Sequence, residues 1–155
     1  MADNYEIDNV DLKILSILQH NAKKPYTEVA KQAFVSSGTV HVRMSKLEKM
    51  GVVKGASLDL NLAKLGYNVS AFLGVFLSKS SLYEKVAVQL KKIAEITSVH
   101  YTTGNYSMFV RIYAKGTDHL KDILHDKIQK VDGIERTETF IILEETFNRS
   151  IQLEG

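Results

Sequence analysis

The sequence predicts an α+β protein, with an N-terminal helix-turn-helix domain joined to a C-terminal β-α-β-β-α-β domain of the ferredoxin-like type. Two observations lead to this fold class. Apolar residues recur at helical spacing through the first third of the chain. From Tyr67 the pattern changes to the two-residue alternation of strands, interrupted by two helical segments. We expect a helix-turn-helix domain over residues 1–52, a hinge strand and linker over 53–66, and the sheet domain over 67–155.

Three short helices are predicted at the N-terminus. Asp8 is expected to cap the first helix, Thr27 the second, and Ser36 or Ser37 the third, because these side chains accept hydrogen bonds from free backbone N–H groups. Gly51 ends the third helix. The inward residues of the third helix are spaced by four and three positions: Val40, Met44 and Leu47.

A tight turn joins the second and third helices, which is the arrangement of a helix-turn-helix. In that motif the third helix enters the major groove of double-stranded DNA with the face that the core does not use. Its polar side chains can donate to bases or phosphates, and Val42 can contact a thymine methyl group. We expect Ser37, Thr39, His41 and Arg43 towards the bases and the lysines nearer the phosphates, although a mid-helix arginine can instead brace the neighbouring helix. The predicted DNA-binding residues are Ser36, Ser37, Gly38, Thr39, His41, Val42, Arg43, Lys46, Lys49 and Lys54.

The charge is unevenly distributed, although the net charge is only +2. Residues 12–58 contain eight basic and two acidic side chains, whereas residues 61–155 contain twelve and eleven. A basic front part beside a neutral remainder favours a polyanionic partner for the front part, and a solvated lysine-rich surface is the alternative.

The second domain is read from its alternating strands and amphipathic helices. Residues 52–60 are expected to form a strand-like tether, followed by a helical turn that Gly66 ends. Gly104-Asn105 is a hairpin turn, and Thr117 or Asp118 is expected to cap the last helix. The predicted strands are 67–78, 97–103, 106–115 and 135–147, and the predicted helices are 81–93 and 117–131.

Two helices cover only one face of this sheet. The other face carries aromatic side chains, which would form a large apolar patch on a monomer. A second subunit that presents the same face is the expected cover, and a dimer also suits two DNA half-sites. The predicted dimer interface consists of Phe72, Phe76, Phe109 and Tyr113.

The chain resembles the leucine-responsive regulator family, also called Lrp/AsnC or feast/famine, of bacterial and archaeal transcription regulators. IDNVDLKILSILQHNAK, SSGTVHVRMSKLEKMGVVKG, the GNYS turn and TFIILEE carry the resemblance. It implies DNA binding by the first domain, and ligand sensing and oligomerisation by the second. It also implies dimers that assemble further, often to octamers, with amino acids as common effectors.

The Gly104-Asn105 turn is the predicted effector site, because exposed backbone N–H groups can bind a carboxylate. Hydroxyl groups of Thr103, Tyr106 and Ser107 surround it. The resemblance places this site where dimers meet. It adds three residues of the last strand: Thr139, Phe140 and Ile141.

Two residues depart from the family pattern. Phe34 stands in the turn where the family commonly has glycine, so either the turn geometry or the packing there is expected to differ. Ser107 stands where the family often has aspartate, and a hydroxyl is a weaker partner than a carboxylate for an ammonium group. We therefore expect altered amino-acid selectivity, with a neutral or carboxylate-only ligand as an alternative.

An enzyme is not expected. The chain has no cysteine and no nucleophile elbow, P-loop or zinc-protease motif, and the scattered histidines predict neither a metal site nor a bound cofactor. There is no apolar run of membrane-spanning length and no secretory signal, so a cytoplasmic location is expected. Two alternatives to an effector-gated regulator stay open: an effector-independent architectural DNA-binding protein, and a metabolite-binding module without DNA function.

Overall fold

A computed structural model describes residues 5–153 of the chain. The outer ends of the predicted domains, residues 1–4 and 154–155, lie outside the described residues. The chain divides into two compact units. One contains the residues up to Asp59 together with those from Phe147 onward, and the other is Leu60–Thr146. The last segment, which we predicted within the sheet domain, therefore groups with the helical unit.

The helical unit contains the three predicted helices. They are α1 (Asn9–His20), α2 (Tyr26–Ala33) and α3 (Ser37–Lys49). Their apolar faces meet in one core, which includes the three predicted inward residues of α3. The buried apolar residues are Ile14, Leu18, Val29, Ala30, Ala33, Val40, Met44 and Leu47.

Within the helical unit, the helix starts follow the predicted caps with one exception. Asp8 accepts hydrogen bonds from the backbone of α1 and forms a reciprocal capping box, and Ser36 caps α3. The prediction that Thr27 caps α2 is wrong, because the helix begins at Tyr26 directly after Pro25. Proline at this position already holds φ at −59°, so the first turn starts without a side-chain cap.

The linker differs from the predicted strand. Residues 52–60 pair with no other strand among residues 5–153. A short 3₁₀ turn, Ala63–Leu65, follows, and Gly66 ends it at φ 91°, as the sequence predicts.

The sheet domain has the predicted β-α-β-β-α-β order. Its antiparallel four-stranded sheet has the strand order β2-β3-β1-β4. The last helix is an α-helix for its first half and a π-helix over Ile123–Ile128. Neither Thr117 nor Asp118 caps it, because the helix starts one residue earlier, after Gly116. The elements are β1 (Val69–Leu77), α4 (Tyr83–Leu90), β2 (Ile96–Tyr101), β3 (Met108–Ala114), α5 (Thr117–Asp122) and β4 (Ile134–Ile141).

Strand alternation separates the two faces of the sheet. In β1 and β3 every second residue is buried beneath the helices, including Leu73 and Val110. We call the opposite surface the open face. In β1 the strand register places Gly74 between Phe109 of β3 and Glu138 of β4 on this face. The open face consists of Phe72, Gly74, Phe76, Phe109, Arg111, Tyr113, Arg136, Glu138 and Phe140.

Candidate nucleic-acid interface and effector loop

Most of the predicted DNA-binding residues lie on the solvent side of the helical unit. The burial of Val40, Met44 and Leu47 orients α3 so that its remaining face is exposed. Ser37, Thr39 and Arg43 are half-buried. The exposed members of the predicted set are Ser36, Gly38, His41, Val42, Lys46, Lys49 and Lys54.

The front end of α3 is held by its own hydroxyl groups. Ser36 Oγ accepts a hydrogen bond from the Thr39 backbone N–H at 3.1 Å and lies 2.8 Å from Thr39 Oγ1. These two hydroxyls therefore fix the start of the helix. Ser37 and Gly38 are left as the small residues at the front of the helix.

Farther along α3, an aromatic contact orients one of the predicted base-facing side chains. The ring of His41 packs edge-on against Tyr26 of α2, with 4.6 Å between the centroids. Val42 projects into solvent beside it. Together they place a hydrogen-bonding ring and an apolar branch on the exposed side of α3.

Arg43 lies where the bracing alternative predicts. Its Nη1 donates to Asp8 at 2.7 Å, to Asp11 Oδ1 at 3.0 Å and to the Tyr5 hydroxyl at 3.2 Å. Asp11 is 0% exposed, so this guanidinium neutralises a fully buried carboxylate. Arg43 Nη1 thus points towards the start of α1. An arginine that reads bases would point away from the unit instead.

The ion pair changes the titration of its neighbours. The hydrogen bond from Arg43 holds the pKa of Asp8 below its ordinary value, and the backbone bonds of the capping box act in the same direction. Burial raises the pKa of the Tyr5 hydroxyl, and so does the hydrogen bond that it donates to Asp11. The cluster is therefore anionic at Asp8 and cationic at Arg43 over the physiological pH range.

The lysines of α3 and the following segment remain available to phosphates. Lys46, Lys49 and Lys54 are exposed and form no ion pair with another described residue. Lys46 Nζ lies 4.8 Å from the centroid of the Tyr5 ring. Exposed ammonium groups of this kind suit contacts with the DNA backbone.

The turn before α3 keeps a left-handed residue although it has no glycine. Phe34 has φ 58° and ψ 42°, a backbone conformation that glycine adopts without strain. Its ring is 84% exposed, and Lys13 Nζ lies 4.5 Å from the ring centroid. Phe34 therefore adopts the conformation that a glycine would take in this turn, and its backbone carries the strain that a side chain adds there.

In the sheet domain, residues 102–107 connect β2 to β3, and we call them the effector loop. The Ser107 backbone N–H donates to the Val75 carbonyl at 2.9 Å, and Ser107 Oγ accepts from the Leu77 N–H at 3.3 Å. The Ser107 hydroxyl is thus engaged with β1 and extends the pairing of β3. At Gly104 φ is 99°, and a side chain there would meet open space.

Tyr106 connects the effector loop to the open face. Its ring lies on Gly74, close to three aromatic neighbours: the centroid distances are 4.9 Å to Phe76, 5.0 Å to Phe109 and 6.0 Å to Phe140. The Tyr106 hydroxyl donates a hydrogen bond to Glu138, which raises the pKa of the tyrosine.

The predicted dimer residues all lie on the open face, and an arginine lies among them. The guanidinium carbon of Arg111 is 5.5 Å from the Phe72 ring centroid and 5.1 Å from that of Tyr113. Its Nη2 donates to Glu145 at 2.6 Å, while its Nε is buried without a hydrogen-bond partner among the described residues. This face therefore combines apolar rings with charged groups.

The last strand separates the effector residues that the resemblance adds. Phe140 lies on the open face opposite Phe72 and near Tyr106. Thr139 and Ile141 pair with Leu73 and Ala71, so they point to the opposite side of the strand. The structure brings only Phe140 of these three close to Tyr106.

Two residues of this arrangement were not singled out from the sequence. Gly74 carried a signal, because a glycine inside a strand often marks a close approach by another group. Glu138 could have been found two residues before Phe140, since alternate residues of a strand share a face.

A cavity of about 570 Å³ lies within the helical unit. Most of its walls are apolar, and Leu12, Leu15, Met44, Val52 and Leu153 contribute to them. No residue of the effector loop lines it. Over residues 5–153, no helix has the length and apolarity to cross a membrane, and no three His, Asp or Glu side chains are grouped to hold a metal ion.

Family models match both units. Residues 7–54 match a winged helix-turn-helix DNA-binding model, and residues 70–151 match the Lrp/AsnC ligand binding domain. The regulatory protein AsnC of Escherichia coli K12 is 41% identical over 97% of this chain and 99% of its own length. AsnC of Haemophilus influenzae is 40% identical over 96% of this chain and 99% of its own length.

Solved structures agree with this relationship. The structure of E. coli AsnC superposes with a TM-score of 0.88 at 40% identity, covering 96% of this chain and 99% of that one. A transcriptional regulator of Neisseria meningitidis in complex with L-Met has the same fold, with a TM-score of 0.88 at 20% identity over 94% and 95% of the two chains. The chain belongs to the Lrp/AsnC family: it is a transcriptional regulator, not an enzyme, with a winged helix-turn-helix and a ligand-binding domain.

Proposed function

We propose that the protein binds double-stranded DNA as a homodimer through the exposed face of α3, and that an amino acid bound at the effector loop changes its assembly and thereby its DNA affinity. Ser37, Gly38, His41 and Val42 contact base edges in this proposal. Lys46, Lys49 and Lys54 contact phosphates, and Arg43 braces α3 against α1.

The DNA-binding part rests on one observation: some residues of α3 anchor the helix within the unit, and others leave their side chains exposed. The residues that hold the helix in place, such as Arg43 and Ser36, have partners inside the unit. Lys46, Lys49 and Lys54 form no ion pair among residues 5–153, and Ser37 and Gly38 leave the front of the helix uncrowded. A recognition helix requires this combination of a fixed backbone and free side chains.

The subunit contact rests on the open face. Phe72 is 40% exposed and Phe140 is 44% exposed, and the strand register places them opposite each other on the sheet. Apolar rings grouped in this way are stabilised by a covering surface, and a second copy supplies one by two-fold symmetry.

An amino acid is proposed as the effector because the space beside Gly104 is open, backbone N–H groups of such a turn can bind a carboxylate, and one relative carries L-Met. Ser107 is already bonded to β1, so it is not the partner of the ammonium group. A shared site where dimers meet, as in assembly to octamers, would supply further contacts and would make ligand binding depend on assembly.

The test is a mobility-shift assay on genomic DNA fragments, repeated with each of the twenty amino acids and at two salt concentrations. We expect preferred fragments and an affinity that one or a few amino acids alter. Salt-dependent binding with no preferred fragment and no amino-acid response would instead support the architectural alternative. A shift in melting temperature with amino acids, but no DNA binding, would support the metabolite-binding module.

A further inference from the structure

Gly74 leaves a notch in the middle of the open face, and Tyr106 fills it. A methyl group added at Gly74 would lie 2.5 Å from Tyr106 Cδ1 and 2.6 Å from Cε1, which is closer than atoms in contact can approach. The tyrosine ring therefore occupies the space that any other residue at position 74 would need. Glycine inside a strand costs about 0.5–1 kcal/mol relative to alanine, so the ring contact has to offset this.

Tyr106 is at the same time a part of the effector loop. Its own carbonyl accepts a hydrogen bond from Thr102 Oγ1 at 2.9 Å, and the Thr102 N–H donates to the Ser107 carbonyl at 3.0 Å. The two ends of the loop are thus tied together around Tyr106. A displacement of the ring from Gly74 has to move this backbone.

The far end of the Tyr106 side chain reaches β4. Its hydroxyl donates to Glu138, whose other carboxylate oxygen lies 3.7 Å from Arg136. The guanidinium of Arg136 is in turn 3.7 Å from the centroid of the Phe76 ring. One side chain therefore links the effector loop with an aromatic and charged patch on the proposed subunit contact.

We propose that Gly74 and Tyr106 are positioning residues that couple ligand binding at the effector loop to subunit association on the open face. This inference rests on the proposed effector site and subunit contact. While the Tyr106 ring lies on Gly74, the position of the effector loop and the shape of the open face depend on each other. A ligand that pulls the loop shifts the ring, and a second subunit that presses on the ring shifts the loop.

The test uses the full-length protein with Gly74→Ala, Tyr106→Ala and the double variant. Gly116→Ala is the matched control, since a side chain at Gly116 meets open space in the same domain. Hydrogen exchange at the Thr102 and Ser107 amides reports on the loop without any ligand, and light scattering gives the association constant.

We expect Gly74→Ala and Tyr106→Ala each to speed exchange at both amides at least tenfold and to weaken association, while the control leaves both unchanged. The double variant should be no worse than the more affected single variant, because both changes act through one contact. Unchanged exchange in Tyr106→Ala would overturn the proposal, and so would additive effects in the double variant. Tyr106→Ala adds no atoms to the sheet. If Gly74→Ala does not fold, Tyr106→Ala therefore tests the role of the contact by itself.

Coupling is measured with the amino acid that gives the largest thermal shift. In wild type it should change the association constant by about 5–150-fold, whereas in Tyr106→Ala this factor should fall to about one. A factor that persists in Tyr106→Ala would contradict the coupling role. If no amino acid binds to wild type, the proposed effector is wrong. Hydrogen exchange and light scattering on the single and double variants still test whether Tyr106 links the loop to subunit association.

Discussion

Arg43 Nη1 and Asp11 Oδ1 lie 3.0 Å apart and join the recognition helix to the first helix of the same unit. Asp11 also accepts hydrogen bonds from the Tyr5 hydroxyl and from the Asp8 backbone N–H. A carboxylate that is fully buried requires such partners, because burial without them costs several kcal/mol. The orientation of α3, and therefore of its proposed DNA-binding face, depends on this pair.

Arg43→Ala should destabilise the protein by about 3 kcal/mol, since it leaves Asp11 buried with neutral partners only. Chemical denaturation measures this directly. Lys49→Ala on the same helix is the control and should change the unfolding free energy by less than about 0.5 kcal/mol. An Arg43→Ala protein that keeps its full stability but loses DNA binding would show that Arg43 reads bases instead of bracing α3.

Lys49→Ala should have a clear effect on DNA binding although it leaves stability unchanged. Lys49→Ala should weaken binding to all sequences alike and reduce the slope of log affinity against log salt by about one. Binding titrations at several salt concentrations check this result. A sequence-dependent loss would mean that Lys49 reads bases.

Asp8→Asn should alter the acid stability of the protein. Asparagine still caps a helix, so the change removes mainly the charge that faces Arg43. The pKa of Asp8 is lowered from 3.8 in the folded protein, chiefly by Arg43, so its stabilising contribution is complete above 3.8 and is lost as the pH falls through the lower folded pKa. The melting temperature of wild type should exceed that of the variant at pH values above 3.8, and the difference should shrink as the pH falls below 3.8. A difference that is independent of pH would show that charge is not its cause.

Phe34→Gly should be more stable than Phe34→Ala by about 1 kcal/mol, because both variants lose the ring and only glycine relieves the left-handed backbone. The alanine variant serves as the matched comparison, since it also removes the contact with Lys13. Equal unfolding free energies in the two variants would mean that the turn relaxes when the ring is removed.

The sequence predicted the order of elements and much of the core because both follow from periodicity. Val40, Met44 and Leu47 are buried as their spacing indicates, and Asp8 and Ser36 cap their helices as their chemistry indicates. These are local properties, in which each residue depends on neighbours a few positions away.

The long-range contacts could not be predicted in this way. A helical pattern shows on which face Arg43 lies, but a long side chain can reach from that face towards another helix. Alternation in β1 indicated the open face, but the contact of Gly74 with Tyr106 depends on how a distant loop folds back. The lack of a partner strand for residues 52–60 likewise depends on pairing, which the residues of one strand do not determine.

Phe72→Glu should weaken self-association at least tenfold, because a carboxylate among the aromatic rings of the proposed contact loses more solvation than Arg111 can offset. Light scattering over a dilution series measures the dissociation. Val42→Glu is the control: it places the same charge at an exposed apolar position of α3, so it should keep the assembly and lose DNA binding instead. A wild-type protein that remains a monomer at every concentration would contradict the subunit contact.

Gly104→Val should reduce amino-acid affinity at least tenfold, since the added side chain fills the open space beside the proposed carboxylate-binding N–H groups. Gly66→Val is the matched control, because Gly66 also has a positive φ and open space around it but lies in the linker. The backbone strain at a positive φ costs about 1–2 kcal/mol in both variants. The two variants should therefore melt at similar temperatures but differ in ligand binding. Calorimetric titration of amino acids and of 2-oxo acids into both variants and wild type measures this difference. Binding of 2-oxo acids as tight as that of amino acids would mean that the ammonium group is not recognised. Identical heats from wild type and Gly104→Val for every ligand that binds would place the site away from the effector loop.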